Sequence, residues 1–207
     1  MVKLANAVTT FLLGVSGTAA RSLSSTARSA AFVGGSRACS GRTGVAMHAA
    51  DQKLPVMAGE DVMSQKAHGT SEKPVMKDLR WGCDYDTADR ICNFNRHYAE
   101  FAGYWTTTKF LQEVDREGPT TYYDSVTGEP LFTAPVGRSV EDFLKESVSH
   151  GWPSFRDEEV NWDYVRCLPD GECVSTSGTH LGHNIPDGKG NRYCINLVSV
   201  AGQAKKE

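Results

Sequence analysis

The stretch from Thr179 to Asn196 constrains the fold of this chain more than any other, since it concentrates several reactive side chains near one strand pattern. Its last five residues, 192–196, alternate polar and apolar side chains, which is typical of a half-buried β-strand. Because side chains alternate across a strand, Arg192, Cys194 and Asn196 are expected to share a polar face. Cationic neighbours lower the pKa of a thiol, so Cys194 is a candidate nucleophile.

Length and composition indicate one globular domain with an appendage. The chain has 207 residues, of which 40% are hydrophobic and 23% are charged. Its net charge of -3 argues against a nucleic-acid partner recruited by bulk electrostatics. The six cysteines are irregularly spaced and form no Cys-x-x-Cys pair, so neither a disulfide scaffold nor a zinc ribbon is indicated. We expect a reducing compartment and at least one functional thiol.

The first fifty residues have the composition of a targeting leader. A short apolar run and then small residues follow Lys3, as in a signal peptide, and residues 21–50 are rich in Ser, Ala, Gly and Arg. No acidic residue precedes Asp51, which is typical of a transit peptide. The run 29–33 resembles the Phe-bearing processing site of leaders in algae with secondary plastids. We therefore expect residues 1–50 to be a cleaved leader that directs the protein to the plastid stroma, with the mitochondrion as the alternative.

The rest of the chain divides into a linker, a helical extension and a strand-rich domain. Residues 51–80 are polar and punctuated by Pro and Gly, which predicts a flexible linker. Apolar residues recur at spacings of 3 and 4 within 81–119, which predicts an amphipathic helix that packs on the domain. That stripe consists of Ile91, Phe94, Tyr98, Phe101 and Trp105. Strand patterns predominate in 120–202, and 203–207 form a tail.

Local patterns within 120–202 place individual elements. Residues 120–133 read as a β-hairpin, because two strand-like runs flank a turn. Ser139 can cap a short helix over 140–148, with Asp142 as its capping partner. Further short strands are expected over 165–168, 172–175 and 193–200, as in a mainly β domain of the α+β class.

Four motifs in this region, taken together and in order, resemble the motif series of methionine-R-sulfoxide reductases of the MsrB (SelR) type. They are Gly128-x-Pro-Leu-Phe132, Gly151-Trp-Pro-Ser-Phe155, His180-Leu-Gly-His183-x-x-Pro-Asp-Gly188 and Arg192-Tyr-Cys-Ile-Asn196. The resemblance implies a fold of two small antiparallel sheets with the catalytic strand near the C-terminus. It also implies reduction of the R epimer of methionine sulfoxide, chiefly in proteins, with electrons from thioredoxin or a similar thiol reductant.

The resemblance further implies a role for each candidate site residue. Cys194 would be the nucleophile, and Arg192 would help to stabilise its thiolate. Trp152 would form the wall that receives the substrate methyl group, with Phe155 as a second substrate-binding residue. The residues that would hold and protonate the sulfoxide oxygen, directly or through water, are His180, His183 and Asn196. The chemistry agrees, because a protonated sulfoxide is electrophilic at sulfur and its reduction would leave a sulfenic acid on Cys194.

The sequence departs from the family at its usual zinc site. Most members carry two Cys-x-x-Cys pairs, and none of the corresponding positions is cysteine here. Those positions are Asp124, Thr127, Val174 and Ser177. If residues 168–174 are an inserted loop, Cys167 takes one of the ligand positions, but it has no cysteine partners in the first hairpin. Structural zinc needs four nitrogen or sulfur ligands in a closed tetrahedron, so we expect neither zinc nor another bound cofactor.

A second departure concerns the regeneration of Cys194. His150 occupies the position at which many members have a resolving cysteine. The sulfenic acid must therefore meet another thiol, and we expect an internal one, with thioredoxin, glutaredoxin or glutathione as the alternative. The internal candidates are Cys83, Cys92, Cys167 and Cys173. These four thiols could also be small buried hydrophobes.

The favoured interpretation is an enzyme that repairs oxidised proteins. Two hypotheses compete with it. One is a catalytically weak MsrB-like scaffold that docks onto a plastid assembly through its helical extension. The other is a redox sensor in which Cys194 responds to peroxide. Under each hypothesis we expect no nucleic-acid partner and no stable membrane insertion after leader removal.

Overall fold

The computed structural model describes residues 53–206, and the predicted leader lies outside them. Strands in this part of the chain form two antiparallel sheets, and the helices are short. The first sheet is a hairpin of β1 (Thr120–Tyr123) and β2 (Pro130–Ala134), as predicted. The two sheets confirm the mainly β fold expected from the sequence. No helix within the described residues has the length and apolar character needed to cross a membrane.

The second sheet has five strands in the spatial order β3-β7-β6-β5-β4. Its strands are β3 (Ser154–Phe155), β4 (Val165–Cys167), β5 (Glu172–Ser175), β6 (His180–Asn184) and β7 (Tyr193–Ile195). Cys194 lies in β7, where it pairs with Ser154 on one side and His183 on the other. The last strand is shorter than expected, because a 3-10 turn over Leu197–Ser199 follows it. The candidate nucleophile is thus held on both sides by neighbouring strands.

The helices lie mostly before the first sheet. They are α1 (Tyr85–Asp89), which continues into a π-helical turn (Arg90–Phe94), then α2 (Tyr104–Thr107), α3 (Phe110–Glu113) and α4 (Val140–His150). The longest of them, α4, begins as predicted at Ser139, whose side chain accepts a hydrogen bond from the Asp142 amide. It ends at Gly151, whose φ of 86° is a left-handed conformation that glycine adopts without strain.

The prediction of a single amphipathic helix that carries the apolar stripe from Ile91 to Trp105 is wrong. The helical turn ends at Phe94, and residues 95–103, which we call the strap, are irregular. The side chains of Phe94, Tyr98 and Phe101 are 58–62% exposed, although the other two members of the stripe are buried. Hydrogen bonds between Glu100 of the strap and the backbone of the turn that follows β7 override the local periodicity here.

The prediction of a flexible linker over 51–80 is also wrong for the residues of this range that the structure describes. Residues 53–80, the N-terminal arm, pack against the domain, with Met63 and Val75 buried. Cys167 of β4 donates its amide to Val56 O at 2.9 Å, and its own carbonyl accepts the Ala58 amide at 2.9 Å. The arm therefore satisfies the otherwise open edge of β4, which accounts for its order.

An aromatic core joins the hairpin, α4 and the five-stranded sheet. The rings of Phe132 and Phe155 stack at 4.4 Å, and Tyr122 meets Phe155 edge-on at 5.0 Å. Phe143 of α4 contacts the same cluster, and all four rings are almost completely buried. Burying each such ring contributes roughly 1.5–3 kcal/mol. The cluster fixes β3, and with it the strand that carries Cys194.

Candidate active site

Cys194 opens onto a cavity of about 190 Å³. The lining residues are His97, Tyr98, Ala99, Trp152, His180, Gly182, His183, Ile185, Cys194 and Asn196. Tyr193 and Ile195 are fully buried, whereas Cys194 between them is partly exposed. The alternation seen in the sequence therefore places the thiol on the working face of β7.

The thiol of Cys194 lies between opposing electrostatic influences. Burial raises its pKa above the ordinary value, and the positive charge of Arg192 offsets only part of that rise. Arg192 is only 6% exposed, and its Nε lies 3.5 Å from an Asp187 carboxylate oxygen. Within residues 53–206, neither Nε nor Nη1 of Arg192 has a hydrogen-bond acceptor. A buried cation with unused donors is suited to receive negative charge that develops on Cys194.

His180 is oriented by a buried carboxylate. Its Nδ1 lies 2.7 Å from Glu172 Oε1, and both side chains are 2% exposed. Arg96 of the strap donates to the same carboxylate, with Nη2 at 2.6 Å from Oε2. Burial alone would raise the pKa of Glu172, but the hydrogen bonds from His180 and Arg96 lower it overall. An ionised carboxylate accepts a hydrogen bond from Nδ1–H, which leaves Nε2 as the ring nitrogen of His180 that is available to a substrate.

His183 lies next to the nucleophile on the adjacent strand. It is the β6 partner of Cys194, and its ring centroid is 5.6 Å from that of His180. Burial, and then the charge of His180, lower the pKa of His183 below its ordinary value. His183 is therefore a neutral imidazole at pH 7.

The glycine between the two histidines allows β6 and β7 to approach closely at the nucleophile. A Cβ atom on Gly182 would come within 2.1 Å of the Cys194 carbonyl oxygen. Its φ of 155° is also rarely adopted by other residues. The His-Leu-Gly-His motif thus needs glycine for steric reasons.

The strap closes one side of the cavity. Its residues His97, Tyr98 and Ala99 line the cavity opposite residues of the five-stranded sheet. Trp152 donates its indole N–H to the Glu100 carbonyl at 3.1 Å, which fixes the plane of the ring. The substrate side of the site is therefore built in part by the segment expected to be a helix.

The structure brings most of the predicted site residues together. Five of them line the one cavity, namely Cys194, His180, His183, Asn196 and Trp152. The prediction that Phe155 binds substrate is wrong, since its ring is fully buried in the core and stacks on Phe132. As the β3 partner of Tyr193, it faces the core side of the sheet.

The four candidate resolving cysteines lie elsewhere. Cys83, Cys92, Cys167 and Cys173 are all buried, and none lines the cavity among the described residues. Cys167 and Cys173 face each other on β4 and β5 with their sulfur atoms 3.5 Å apart. Burial raises the pKa of the thiols of Cys83, Cys92 and Cys173. Internal resolution would therefore require a buried thiol to leave the core and reach Cys194.

The positions of the usual zinc ligands hold a hydrogen-bond network and apolar packing. Asp124 is fully buried and accepts bonds from the Val126 amide at 2.8 Å and the Thr179 hydroxyl at 2.9 Å. Val174 packs with Met63 and Leu168 in a small apolar cluster. None of the four positions offers a thiolate or an imidazole, so these residues do not fit a structural zinc ion. Asp124 links the turn after β1 to the turn before β6.

The sequence did not single out two acidic residues of the site, Glu172 and Glu100. Glu172 is the β5 partner of His183, and it meets His180 across an irregularity in the register between Cys173 and Val174, which alternation along the hairpin does not predict. Glu100 has no local signal either, because its partners Leu197 and Val198 are almost a hundred residues away in sequence.

Comparisons with known proteins find methionine sulfoxide reductases among the relatives of this chain. No family model matches the chain. The chain is 36% identical over 109 residues to "Peptide methionine sulfoxide reductase MsrB" of Saccharophagus degradans, which covers 45% of this chain and 69% of that protein. It is also 36% identical over 83 residues to the protein of the same name from Escherichia coli O139:H28, covering 39% of this chain and 49% of that protein. The chain belongs to the MsrB family of peptide methionine sulfoxide reductases.

Proposed function

We propose that this protein reduces the R epimer of methionine sulfoxide in polypeptides, with Cys194 as the nucleophile. The observation that carries the proposal is the convergence of a thiol, two histidines and an indole on one small cavity. The names of the two relatives, both peptide methionine sulfoxide reductases, support the same substrate class.

In the proposed reaction, the Cys194 thiolate attacks the sulfoxide sulfur while the sulfoxide oxygen takes up a proton. The oxygen then passes to the Cys194 sulfur as the bond to the substrate sulfur breaks. The products are methionine and a sulfenic acid on Cys194, so the substrate gains the two electrons that the cysteine loses. Arg192, with its unused buried donors, stabilises the thiolate before the attack.

His180 is the proposed proton donor to the sulfoxide oxygen. Glu172 binds the Nδ1 side of the ring, so Nε2 is the atom that would give a proton to the substrate. A general acid needs one such oriented donor atom. His183 remains neutral and acts as a hydrogen-bond donor in the same cavity. Asn196 donates one side-chain N–H to the Leu181 carbonyl at 3.2 Å. The second N–H of its amide is available to donate to the sulfoxide oxygen.

The apolar part of the cavity receives the substrate methyl group. Trp152 presents a ring whose orientation is fixed, and Ala99 and Ile185 line the same cavity. An indole face binds an S-methyl group with little loss of side-chain entropy. Tyr98 and Ile185 are 60% and 47% exposed, so they are available to contact residues that flank the oxidised methionine.

We propose that an external thiol, such as thioredoxin, regenerates Cys194, in contrast to the internal thiol expected from the sequence. The incoming thiolate forms a disulfide with Cys194 and releases water, and a second thiol then frees the enzyme. Burial of the four internal candidates supports this route, because a thiol held inside the core cannot reach Cys194 without a rearrangement. The acid-free composition of residues 1–50 supports targeting of the protein to the plastid.

The proposal is tested by assaying the full chain without its leader on dabsyl-methionine sulfoxide. With dithiothreitol as the reductant, we expect turnover of the R epimer and none of the S epimer, with the methionine product separated by chromatography. The S epimer serves as the matched control, since it differs only in the direction of the oxygen. An inert protein, or one that reduces both epimers equally, would contradict the proposal.

Metal analysis of the refolded protein is expected to show below ~0.2 zinc per chain, because the four ligand positions lack nitrogen and sulfur donors. The measurement is atomic emission after dialysis against buffer that contains zinc and then against metal-free buffer. Stoichiometric zinc after the second dialysis would show that other residues form a closed site.

A further inference from the structure

Glu100 is a buried acidic residue at the centre of the strap. Its carboxylate accepts the Leu197 amide at 2.6 Å on Oε1 and the Val198 amide at 3.1 Å on Oε2. The residue is 3% exposed, and it forms no salt bridge within residues 53–206. It therefore clamps the turn that directly follows the catalytic strand.

The backbone of Glu100 holds two further parts of the site. Its amide donates to the side-chain oxygen of Asn196 at 3.3 Å, and its carbonyl accepts the indole N–H of Trp152 at 3.1 Å. Glu100 thus connects three parts of the site: Trp152, which is the proposed methyl-binding wall, the side-chain amide of Asn196, and the backbone after β7. A shift of the strap would move all three together.

We propose that Glu100 is a positioning residue for sulfoxide reduction, which sets the geometry of Trp152 and Asn196 relative to Cys194. This inference rests on the proposed function. The strap also contributes His97, Tyr98 and Ala99 to the cavity, so its attachment through Glu100 fixes the shape of the substrate side.

The electrostatics provide a signature that simple burial would not produce. Burial raises the pKa of Glu100 to about 7, and the two backbone hydrogen bonds oppose that rise. The titratable groups that its charge affects are Cys83, Cys92, Tyr104 and Cys194. At Cys194 the negative charge raises the thiol pKa, against the charge of Arg192. Removal of the carboxylate should therefore make Cys194 easier to ionise while the site geometry worsens.

The test uses Glu100→Gln in the full chain without its leader. The amide can accept one of the two backbone N–H groups, and its own NH₂ opposes the other. We expect kcat/KM for the R epimer to fall on the order of 10²-fold, the loss that a displacement of about 1 Å can cause. The midpoint for alkylation of Cys194 by iodoacetamide should move to lower pH.

Glu159→Gln is the matched control. Glu159 is also buried, and it accepts backbone bonds from Val136 and Arg156 at 3.1 and 2.8 Å without lining the cavity. Its variant removes a buried carboxylate together with an ion pair to Arg138 at 2.6 Å that Glu100 lacks among the described residues, so its cost to folding is at least as large, yet the alkylation midpoint should stay where it is. A change of equal size in both variants would overturn the inference.

A second variant decides the question if Glu100→Gln does not fold. Trp152→Phe keeps an aromatic wall but lacks the N–H that Glu100 accepts, and we expect about a tenfold fall in kcat/KM. If the wild type is active and Glu100→Gln folds, the inference is overturned when the variant keeps both the wild-type kcat/KM and the wild-type alkylation midpoint. If Glu100→Gln does not fold, the inference is overturned when Trp152→Phe keeps the wild-type kcat/KM. An inactive wild type would instead overturn the proposed function, and the alkylation midpoint still reports on Glu100.

Discussion

Serine in place of Cys194 is expected to abolish reduction of methionine-R-sulfoxide, with kcat lowered by about three orders of magnitude or more. A serine hydroxyl stays protonated at neutral pH, and the positive charge of Arg192 cannot compensate for so large a difference in acidity. The substitution is close to isosteric, and the flanking Tyr193 and Ile195 remain in the core. Turnover with dithiothreitol measures the loss, and thermal unfolding verifies that the variant is folded.

The controls for this variant are Cys167→Ala and Cys173→Ala. Both remove a buried thiol that lies outside the cavity, and the sulfur atoms of the pair are 3.5 Å apart. Each variant should retain turnover when dithiothreitol supplies the electrons. Substantial activity in Cys194→Ser would assign the nucleophile to another cysteine.

Alanine in place of Asp124 is expected to lower the free energy of unfolding by about 3 kcal/mol. The substitution leaves the Val126 amide and the Thr179 hydroxyl without their acceptor in a fully buried place. It also removes the link between the two turns that zinc joins in most family members. Urea denaturation followed by tryptophan fluorescence measures the change.

Asp124→Asn is the matched control, and we expect it to stay within about 1 kcal/mol of the wild type, because the amide oxygen can still accept the Val126 bond. Burial raises the pKa of Asp124 above its ordinary value, although hydrogen bonds oppose that rise. The stability that the acid contributes is therefore fully present below the unfolded pKa of about 3.9, and it is lost as the pH rises through the folded pKa. The asparagine variant should lack this pH dependence, and equal losses in both variants would contradict a role for the acceptor oxygen.

The elements that the sequence predicted well are those specified by neighbouring residues. The hairpin over 120–133 follows from a turn between two strand patterns, and the start of α4 follows from the Ser139 cap. The catalytic strand was recognised because alternation fixes which side chains share a face, and Cys194 does lie on the opposite side from its buried neighbours. The histidine pair was recognised from its motif.

The parts that the sequence did not predict depend on distant contacts. The strap has the spacing of a helix, but Glu100 binds the backbone after β7 and holds the chain in an irregular path. Phe155 follows Trp152 in one motif, and only its pairing in β3 shows that it faces the core. Long-range hydrogen bonds and strand pairing decide both cases, and a local pattern contains neither.

The contact between the N-terminal arm and Cys167 has a consequence for solubility. β4 is the outer strand of the five-stranded sheet, and Val56 and Ala58 use the backbone groups that it would otherwise present to solvent. Exposed strand edges of this kind recruit further strands from other molecules. A chain shortened to begin at the first hairpin would keep every cavity-lining residue of the five-stranded sheet and yet become prone to self-association. The arm is therefore expected to prevent aggregation through edge-to-edge pairing of β4.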